Sequence, residues 1–256
     1  MRKVMKKTVS YITLLAMLFV IGCGNTNNPA YTNASSLNAD STTNQSIILR
    51  DSVVVLKYKT QTDTIAFPVV NAQFPQLAAA LNPEAVLGER LSKIKENYED
   101  CGCGYTSLMY KKTFSNAKIL SLWFYAEFIG AYPSQTTIYQ TLSINTGLVY
   151  KLTQQLNEAG EKYVLTKYKA TLLKRLEADK ANHTEKDYDS ACNQIKENIN
   201  QLTFEAINDN YIVKDSSVIV KTEPILPHVV LAWEIDRMVD FSLDELKQFK
   251  KEGASI

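Results

Sequence analysis

Two cysteines separated by one residue are the first group in this sequence that could do chemistry. Cys101 and Cys103 stand in the run Cys-Gly-Cys-Gly. In an oxidising compartment they could form a disulfide, and the small strained ring that it closes would make the bridge easy to reduce. This spacing therefore makes Cys101 and Cys103 a candidate redox pair. The alternatives are two free thiols in a loop, or a bridge to Cys192, which stands at an apolar helical position typical of a buried free thiol.

A fourth cysteine, Cys23, follows a targeting segment. Residues 1–22 open with four basic residues and continue with an apolar run over residues 11–21. That run is too short to span a membrane, which takes ~20 residues, but it suits a signal peptide. The run ends in Val20-Ile21-Gly22-Cys23, the pattern of a bacterial lipidation site. We predict a lipoprotein signal peptide over residues 1–22 and a diacylglyceryl group on the Cys23 thiol; the alternative is an ordinary secretory peptide with an incidental cysteine.

The segment after Cys23 has the composition of a tether. Residues 23–45 are rich in Asn, Thr, Ser and Ala and hold few apolar side chains, so they cannot bury enough surface to offset the entropy of ordering. We predict a lipidated flexible tether that holds a domain in the bacterial cell envelope, facing the periplasm. The predicted partner at this end is the membrane, through the lipid.

The charge balance argues against a nucleic-acid partner. The chain carries 28 Lys and Arg against 27 Asp and Glu. Four of the basic residues lie in the signal peptide and none of the acidic ones do, so the remaining chain is slightly acidic. Nucleic-acid binding calls for a concentrated basic surface, which this composition does not offer.

The remaining titratable residues form no recognisable catalytic or metal-binding motif. His183 and His228 are the two histidines, and neither belongs to a His-x-x-x-His or Cys-x-x-Cys pattern. The sequence contains no Gly-x-Ser-x-Gly and no phosphate-binding glycine-rich loop. We therefore predict no catalytic residues, no metal and no cofactor.

Two aromatic residues are candidates for binding instead. In residues 119–129 the apolar side chains alternate, which predicts a strand with one face on a core. Trp123 and Tyr125 fall on the other, less apolar side, together with Ser121 and Glu127. Aromatic rings on such a face could stack on a sugar or anchor a protein partner. The alternative is that a helix covers this face and buries both rings in a core.

The elements around this strand predict how it is positioned. After a break at residues 130–134 we expect a second strand over residues 136–144, a turn at Asn145-Thr146-Gly147 and a third strand over residues 148–152. Before it we expect strands near residues 47–49, 53–58 and 65–67, and one helix that begins with Asn82 as its cap and ends near Asp100.

Helical periodicity dominates the next part of the chain, and strands return after it. We expect one helix around Tyr168 and a second, capped by Thr184, around Cys192. A hairpin of residues 211–213 and 218–222, a strand at 229–235, a short strand at 239–241 and a helix opened by a Ser242–Glu245 capping box should follow. These blocks predict an α+β fold, with an antiparallel sheet packed against helices and a closing C-terminal helix.

The order of these elements resembles a pair of extracellular domains of unknown function, numbered 4163 and 3298. The elements that carry the resemblance are residues 119–122 (ILSL), 130–133 (GAYP), 144–147 (INTG), Leu152, Pro227 and 239–246 (VDFSLDEL). The resemblance implies a 4163-like part over residues 46–160 and a 3298-like part over residues 161–256.

The resemblance also carries an expectation about function. Such domains occur in lipoproteins, beside a peptidoglycan deacetylase domain, and as the lysozyme-sensing part of an anti-sigma factor. It implies a non-catalytic binding or sensing module for wall glycan or a wall-active protein. The alternatives are a cell-wall-modifying enzyme with an unrecognised site and a structural envelope lipoprotein.

Overall fold

The fold is α+β, as the sequence predicts. The computed structural model describes residues 48–181, 183, 186–226 and 233–256. From Ile48 onward these residues belong to one compact unit. Within them, no helix has the length and apolarity needed to cross a membrane. The predictions for residues 1–45, including Cys23, and those for Thr184, Pro227 and His228 lie outside the described residues.

A five-stranded sheet forms the centre of the fold. Its strands are β1 (Leu49–Tyr58), β2 (Gln61–Val70), β3 (Gly104–Ser115), β4 (Ile119–Ile129) and β5 (Pro133–Ser143), and they neighbour one another in chain order. Every pair is antiparallel except β2 and β3, which run parallel where Ile65 faces Leu108. The predicted antiparallel sheet is therefore mixed, because a helical crossover between β2 and β3 returns the chain to the end of the sheet where β2 began.

Three short helices form that crossover. They are α1 (Pro75–Ala80), α2 (Pro83–Leu87) and α3 (Leu91–Cys101). The Asn82 side chain caps α2 as predicted, accepting a hydrogen bond of 2.9 Å from the backbone of Ala85. The prediction of one helix from Asn82 to Asp100 is wrong, because the chain breaks at Gly88, which ends α2 in the left-handed conformation with φ +78°.

The first hydrophobic core lies between these helices and one face of the sheet. Leu122 and Phe124 of β4 are fully buried there, on the side that the period-two pattern predicts. Ile94 and Tyr98 of α3 pack against that face from the helical layer. Because side chains alternate along β4, Trp123 and Tyr125 lie on the opposite face of the sheet, away from these helices.

A second layer follows β5 in the chain. It consists of α4 (Glu158–Lys180), α5 (Lys186–Gln201), α6 (Leu243–Leu246) and an antiparallel sheet of β6 (Tyr211–Val213), β7 (Ser217–Val220) and β8 (Val239–Ser242). Short 3₁₀ helices occur at Leu152–Gln154, Phe204–Ala206 and Lys247–Phe249. The predicted helical stripes of α4 and α5 are buried in a second hydrophobic core, for example at Tyr168 and Cys192.

One predicted strand is wrong, and a second does not form in the part of it that the structure describes. Instead of a third strand over residues 148–152, Val149 forms an isolated bridge with Leu142. The chain then turns away from β5, because the Leu152 backbone donates to Asn208 and its side chain enters the second core. Of the strand predicted at 229–235, residues 229–232 are outside the described residues, and residues 233–235 lie in no strand.

The closing helix forms with half of its predicted capping box. The Ser242 side chain accepts a hydrogen bond of 3.1 Å from the backbone of Glu245. The Glu245 carboxylate does not return to Ser242 but pairs with Lys167 of α4 at 2.5 Å. Helix α6 is only four residues long before the chain continues as a 3₁₀ helix.

A buried hydrogen-bond network joins the second layer to the five-stranded sheet. The Thr141 hydroxyl donates to the Tyr211 carbonyl at 2.9 Å. Its oxygen must then accept from the Ser121 hydroxyl, which lies 2.9 Å away. The Ser121 oxygen in turn accepts from the Val213 backbone at 2.9 Å. Ser121 and Thr141 are fully buried, so this network fixes β6 against the ends of β4 and β5.

Replacing Ser121 with alanine should destabilise the fold measurably. The Val213 backbone would lose its acceptor in a buried place, which typically costs ~1–3 kcal/mol. Chemical denaturation should show a lower free energy of unfolding by about this amount. Ser143→Ala is the control, since its partly buried side chain accepts only one long hydrogen bond, of 3.3 Å. Equal stability of the two variants would contradict this account of the network.

Candidate binding face

Trp123 and Tyr125 lie on the face of β4 opposite α1, α2 and α3. At one end of this face, Ile119 and Ser121 are buried beneath the second layer. Trp123 and Tyr125 continue the same row, but both remain partly exposed. Neither belongs to a hydrophobic core of the described residues. The structure therefore differs from the alternative in which a helix covers this face and buries both rings in a core.

The two aromatic rings stack on each other. Their centroids are 6.1 Å apart, with 21° between the ring planes. The Tyr125 hydroxyl donates to Glu127, next in the same row, at 2.8 Å. Partial burial, reinforced by Glu127, raises the pKa of Tyr125 to about 12. The hydrogen bond to Glu127 orients the Tyr125 ring beside Trp123, and we call the two rings the Trp123–Tyr125 platform.

The face continues past the platform onto its neighbouring strands. Tyr139 of β5 is paired with Trp123 and Thr137 with Tyr125. On the β3 side, exposed Lys111 and Met109 take the corresponding positions. The platform is thus set in an open sheet face that offers both aromatic and polar contacts.

A cleft of about 370 Å³ opens beside the platform. Tyr125 and Thr137 form its sheet side, and Lys221, Glu234 and Arg237 are among the residues of its other wall. A larger cleft of about 490 Å³, near the opposite edge of the sheet, is lined mostly by aliphatic side chains together with Arg50 and Asn71. The cleft beside Tyr125 is the better candidate, because it combines an aromatic ring with several polar groups.

The far wall of this cleft is held in place by buried polar contacts. The carboxylate oxygens of Glu234 accept from the backbones of Ile225 and Leu226, at 3.1 and 2.8 Å. Arg237 lies 3.5 Å from the same carboxylate and donates to the Thr222 carbonyl at 2.6 Å. These contacts fix the Glu234 carboxylate in the wall of the cleft.

Tyr168 of α4 supports this wall from the second core. Its hydroxyl donates to the Arg237 carbonyl at 2.7 Å and accepts from the Thr222 backbone at 2.9 Å. The side chain is fully buried, and burial raises its pKa. The helix that the sequence predicts around Tyr168 therefore also positions one side of the cleft.

The other candidate residues lie elsewhere. Cys101 and Cys103 form a disulfide at the end of α3, and Cys192 is free and buried. The sequence leaves open whether Cys101 pairs with Cys103, whether both are free, or whether one pairs with Cys192, and the structure has the first of these. The redox role of the disulfide stays a prediction. His183 stacks on Tyr188, with ring centroids 4.0 Å apart. Within the described ranges, no three or more His, Cys, Asp or Glu side chains converge as metal ligands would.

Among the solved structures that match this chain are two from the DUF3298 family. No family model matches the chain, and no curated protein matches it. A DUF3298 family protein from Pseudomonas aeruginosa is 14% identical, with a TM-score of 0.48 over 79% of this chain and 93% of that one. A DUF3298 family member from Bacteroides fragilis is 12% identical, with a TM-score of 0.42 over 79% and 92%. These two structures are what the chain is similar to, and the similarity to domain 4163 stays a prediction.

Proposed function

We propose that this protein is a lipid-anchored binding or sensing module of the bacterial cell envelope. It faces the periplasm and binds wall glycan, or a protein that acts on the wall, without altering it. The tether after Cys23 keeps the domain close to the wall, and the open face of the five-stranded sheet contacts the ligand.

The observation that carries this proposal is the exposure of the Trp123–Tyr125 platform. The two aromatic rings stack on each other and stay partly exposed, beside a cleft lined by hydroxyl, amide and charged groups. Stacking on an aromatic face and hydrogen bonds from convergent polar groups are how proteins bind polar ligands that carry apolar patches, such as sugars.

Co-sedimentation with purified peptidoglycan sacculi tests this function. Full-length protein in mild detergent should pellet with sacculi in a saturable manner. The supernatant should contain no released sugar, peptide or acetate. Release of any of these products would replace the binding function with an enzymatic one, and failure to pellet would remove wall glycan as the ligand.

Anchoring is tested separately at Cys23. A palmitate analogue fed to the producing bacterium should label the wild-type protein, because the thiol of Cys23 carries the lipid. Cys23→Ala should lose the label and leave the membrane fraction. The control is Cys192→Ala, which should remain labelled, since Cys192 is buried in the fold. A labelled Cys23→Ala protein would contradict the proposed anchor.

A further inference from the structure

Lys221 brings a positive charge into the cleft beside the Trp123–Tyr125 platform. It follows β7 directly, and its backbone donates to the Asn210 carbonyl at 3.0 Å, which continues the β6–β7 pairing by one residue. Its ammonium group donates to the Thr137 carbonyl of β5 at 3.2 Å and lies 5.6 Å from the centre of the Tyr139 ring. The hairpin of the second layer thus places a positive charge against the open face of the first sheet.

This charge has no ion-pair partner in the described part of the chain. No carboxylate oxygen there lies within 4.0 Å of the Lys221 ammonium, although Glu223 and Asp236 act on it from farther away. Glu234, on the same wall, is already engaged with Arg237 and two backbone groups. Lys221 therefore keeps hydrogen-bond donors that the fold does not use.

The surroundings of Lys221 disfavour its charged form. Burial, and then the nearby Arg237, lower the pKa of Lys221. A partly buried ammonium held in this way is stabilised when a negative group approaches it. A ligand carboxylate would supply the close ion pair that neither Glu223 nor Asp236 makes with Lys221.

The charge and the aromatic platform belong to one surface. Thr137, whose carbonyl holds Lys221, is the cross-strand partner of Tyr125. Tyr139, whose ring faces Lys221, is the cross-strand partner of Trp123. The cation therefore contacts β5, and the stacking rings lie on the adjacent strand β4; neighbouring strands are ~4.8 Å apart, which is within the reach of one sugar with a carboxylate substituent.

We propose that the cleft beside the Trp123–Tyr125 platform is a subsite for an acidic sugar, in which the ring stacks on the platform and a carboxylate pairs with Lys221. This inference rests on the proposed function and narrows its ligand from wall glycan in general to a carboxylate-bearing residue. Gln135 and Thr137 also line the cleft and offer groups that can bind sugar hydroxyls.

Two disaccharides that differ in one acidic substituent test this subsite. One is N-acetylglucosaminyl-N-acetylmuramic acid, and the other is N,N′-diacetylchitobiose, which lacks the lactyl group and its carboxylate. Calorimetry on full-length protein in detergent should show that the wild type binds the acidic disaccharide about tenfold or more tightly, since a hydrogen bond to a charged group is worth ~1.5–3 kcal/mol. This comparison needs no variant, so it holds whether or not a substitution disturbs folding.

Three variants complete the test. Lys221→Met keeps the length of the side chain but removes the charge, and should bind both disaccharides with equal, weak affinity. Lys221→Arg should retain the preference for the acidic one. Lys162→Met is the matched control, because it removes an exposed lysine of α4, far along the chain from the cleft, and should behave as wild type.

The outcomes separate this inference from the proposed function. Equal affinities of the wild type for the two disaccharides, or a preference that survives in Lys221→Met, would overturn the acidic-sugar subsite. A double variant, Trp123→Ala/Tyr125→Ala, then decides the proposed function. If it loses binding to sacculi, the proposed function stands without the acidic-sugar subsite. Binding of neither disaccharide would also overturn the subsite, and sacculus co-sedimentation would then decide the proposed function by itself.

Discussion

Replacing Trp123 and Tyr125 together with alanine is expected to weaken binding to the wall ligand by about thirtyfold or more. An exposed aromatic anchor typically contributes ~2 kcal/mol or more to binding, and both rings are removed at once. Because the two side chains belong to neither core, the melting temperature should change little. The measurement is co-sedimentation with sacculi over a range of protein concentrations, with thermal unfolding followed by circular dichroism.

Tyr132→Ala is the matched control for this double substitution. Tyr132 lies at the turn between β4 and β5 and is 77% exposed, yet it is not part of the platform. The control variant should bind as wild type does. If Trp123→Ala/Tyr125→Ala unfolds the domain, the rings are structural and the binding face lies elsewhere. If it binds as wild type does, the platform is not the ligand contact.

Replacing Gly147 with alanine is expected to cause a larger loss of stability than Ser121→Ala does. Gly147 has φ +66°, a conformation that costs a residue with a side chain ~1–2 kcal/mol. An added Cβ would also meet the backbone of Gln76 in α1. Backbone atoms cannot move aside as a flexible side chain can, so the two effects should together cost ~3 kcal/mol or more.

Gly88→Ala separates these two effects. Gly88 has φ +78°, but nothing lies within 4 Å of the position that its Cβ would take. Only the conformational cost remains there, so the free energy of unfolding should fall by ~1–2 kcal/mol. Urea denaturation of both variants gives the comparison. Equal losses would show that the approach of the turn to α1 is not tight.

The turn at Gly147 also matters for the site. It joins β5 to the residues that bridge back to it at Val149. Tyr139 and Thr137, which flank the platform, lie in the same strand. A weakened turn should therefore loosen one side of the binding face as well as the fold.

Local patterns in the sequence predict much of the fold. Alternation in β4 identifies the face that carries Trp123 and Tyr125, since a strand presents successive side chains to opposite sides. Helical stripes predict α4 and α5, and short-range chemistry predicts the Asn82 and Ser242 caps. Each of these features depends on residues close together in the chain.

The features that the sequence does not reveal depend on distant residues. Lys221 contacts Thr137, 84 residues away, and no local pattern connects the two. Residues 148–152 have the composition of a strand, but the partner that draws Leu152 away is Asn208 in the second layer. The parallel pairing of β2 with β3 likewise depends on how the crossover packs, which periodicity does not encode.

The sequence predicts the exposure of the platform only in part. Periodicity places Trp123 and Tyr125 opposite the first core, but it cannot say whether another layer covers them. Here the second layer covers Ser121 and stops before Trp123. The open face results from how far along β4 the second layer extends, which only the tertiary structure determines.

The fluorescence of Trp123 tests the central claim most directly. The sequence contains two tryptophans, and the other, Trp233, packs edge-on against Tyr188 beside the second core. In a Trp233→Phe protein all tryptophan emission comes from Trp123. Titration with soluble wall glycan should then give a saturable change in emission, because the ligand stacks on this ring. Binding that leaves the emission of Trp123 unchanged would contradict the claim that the platform is the binding site.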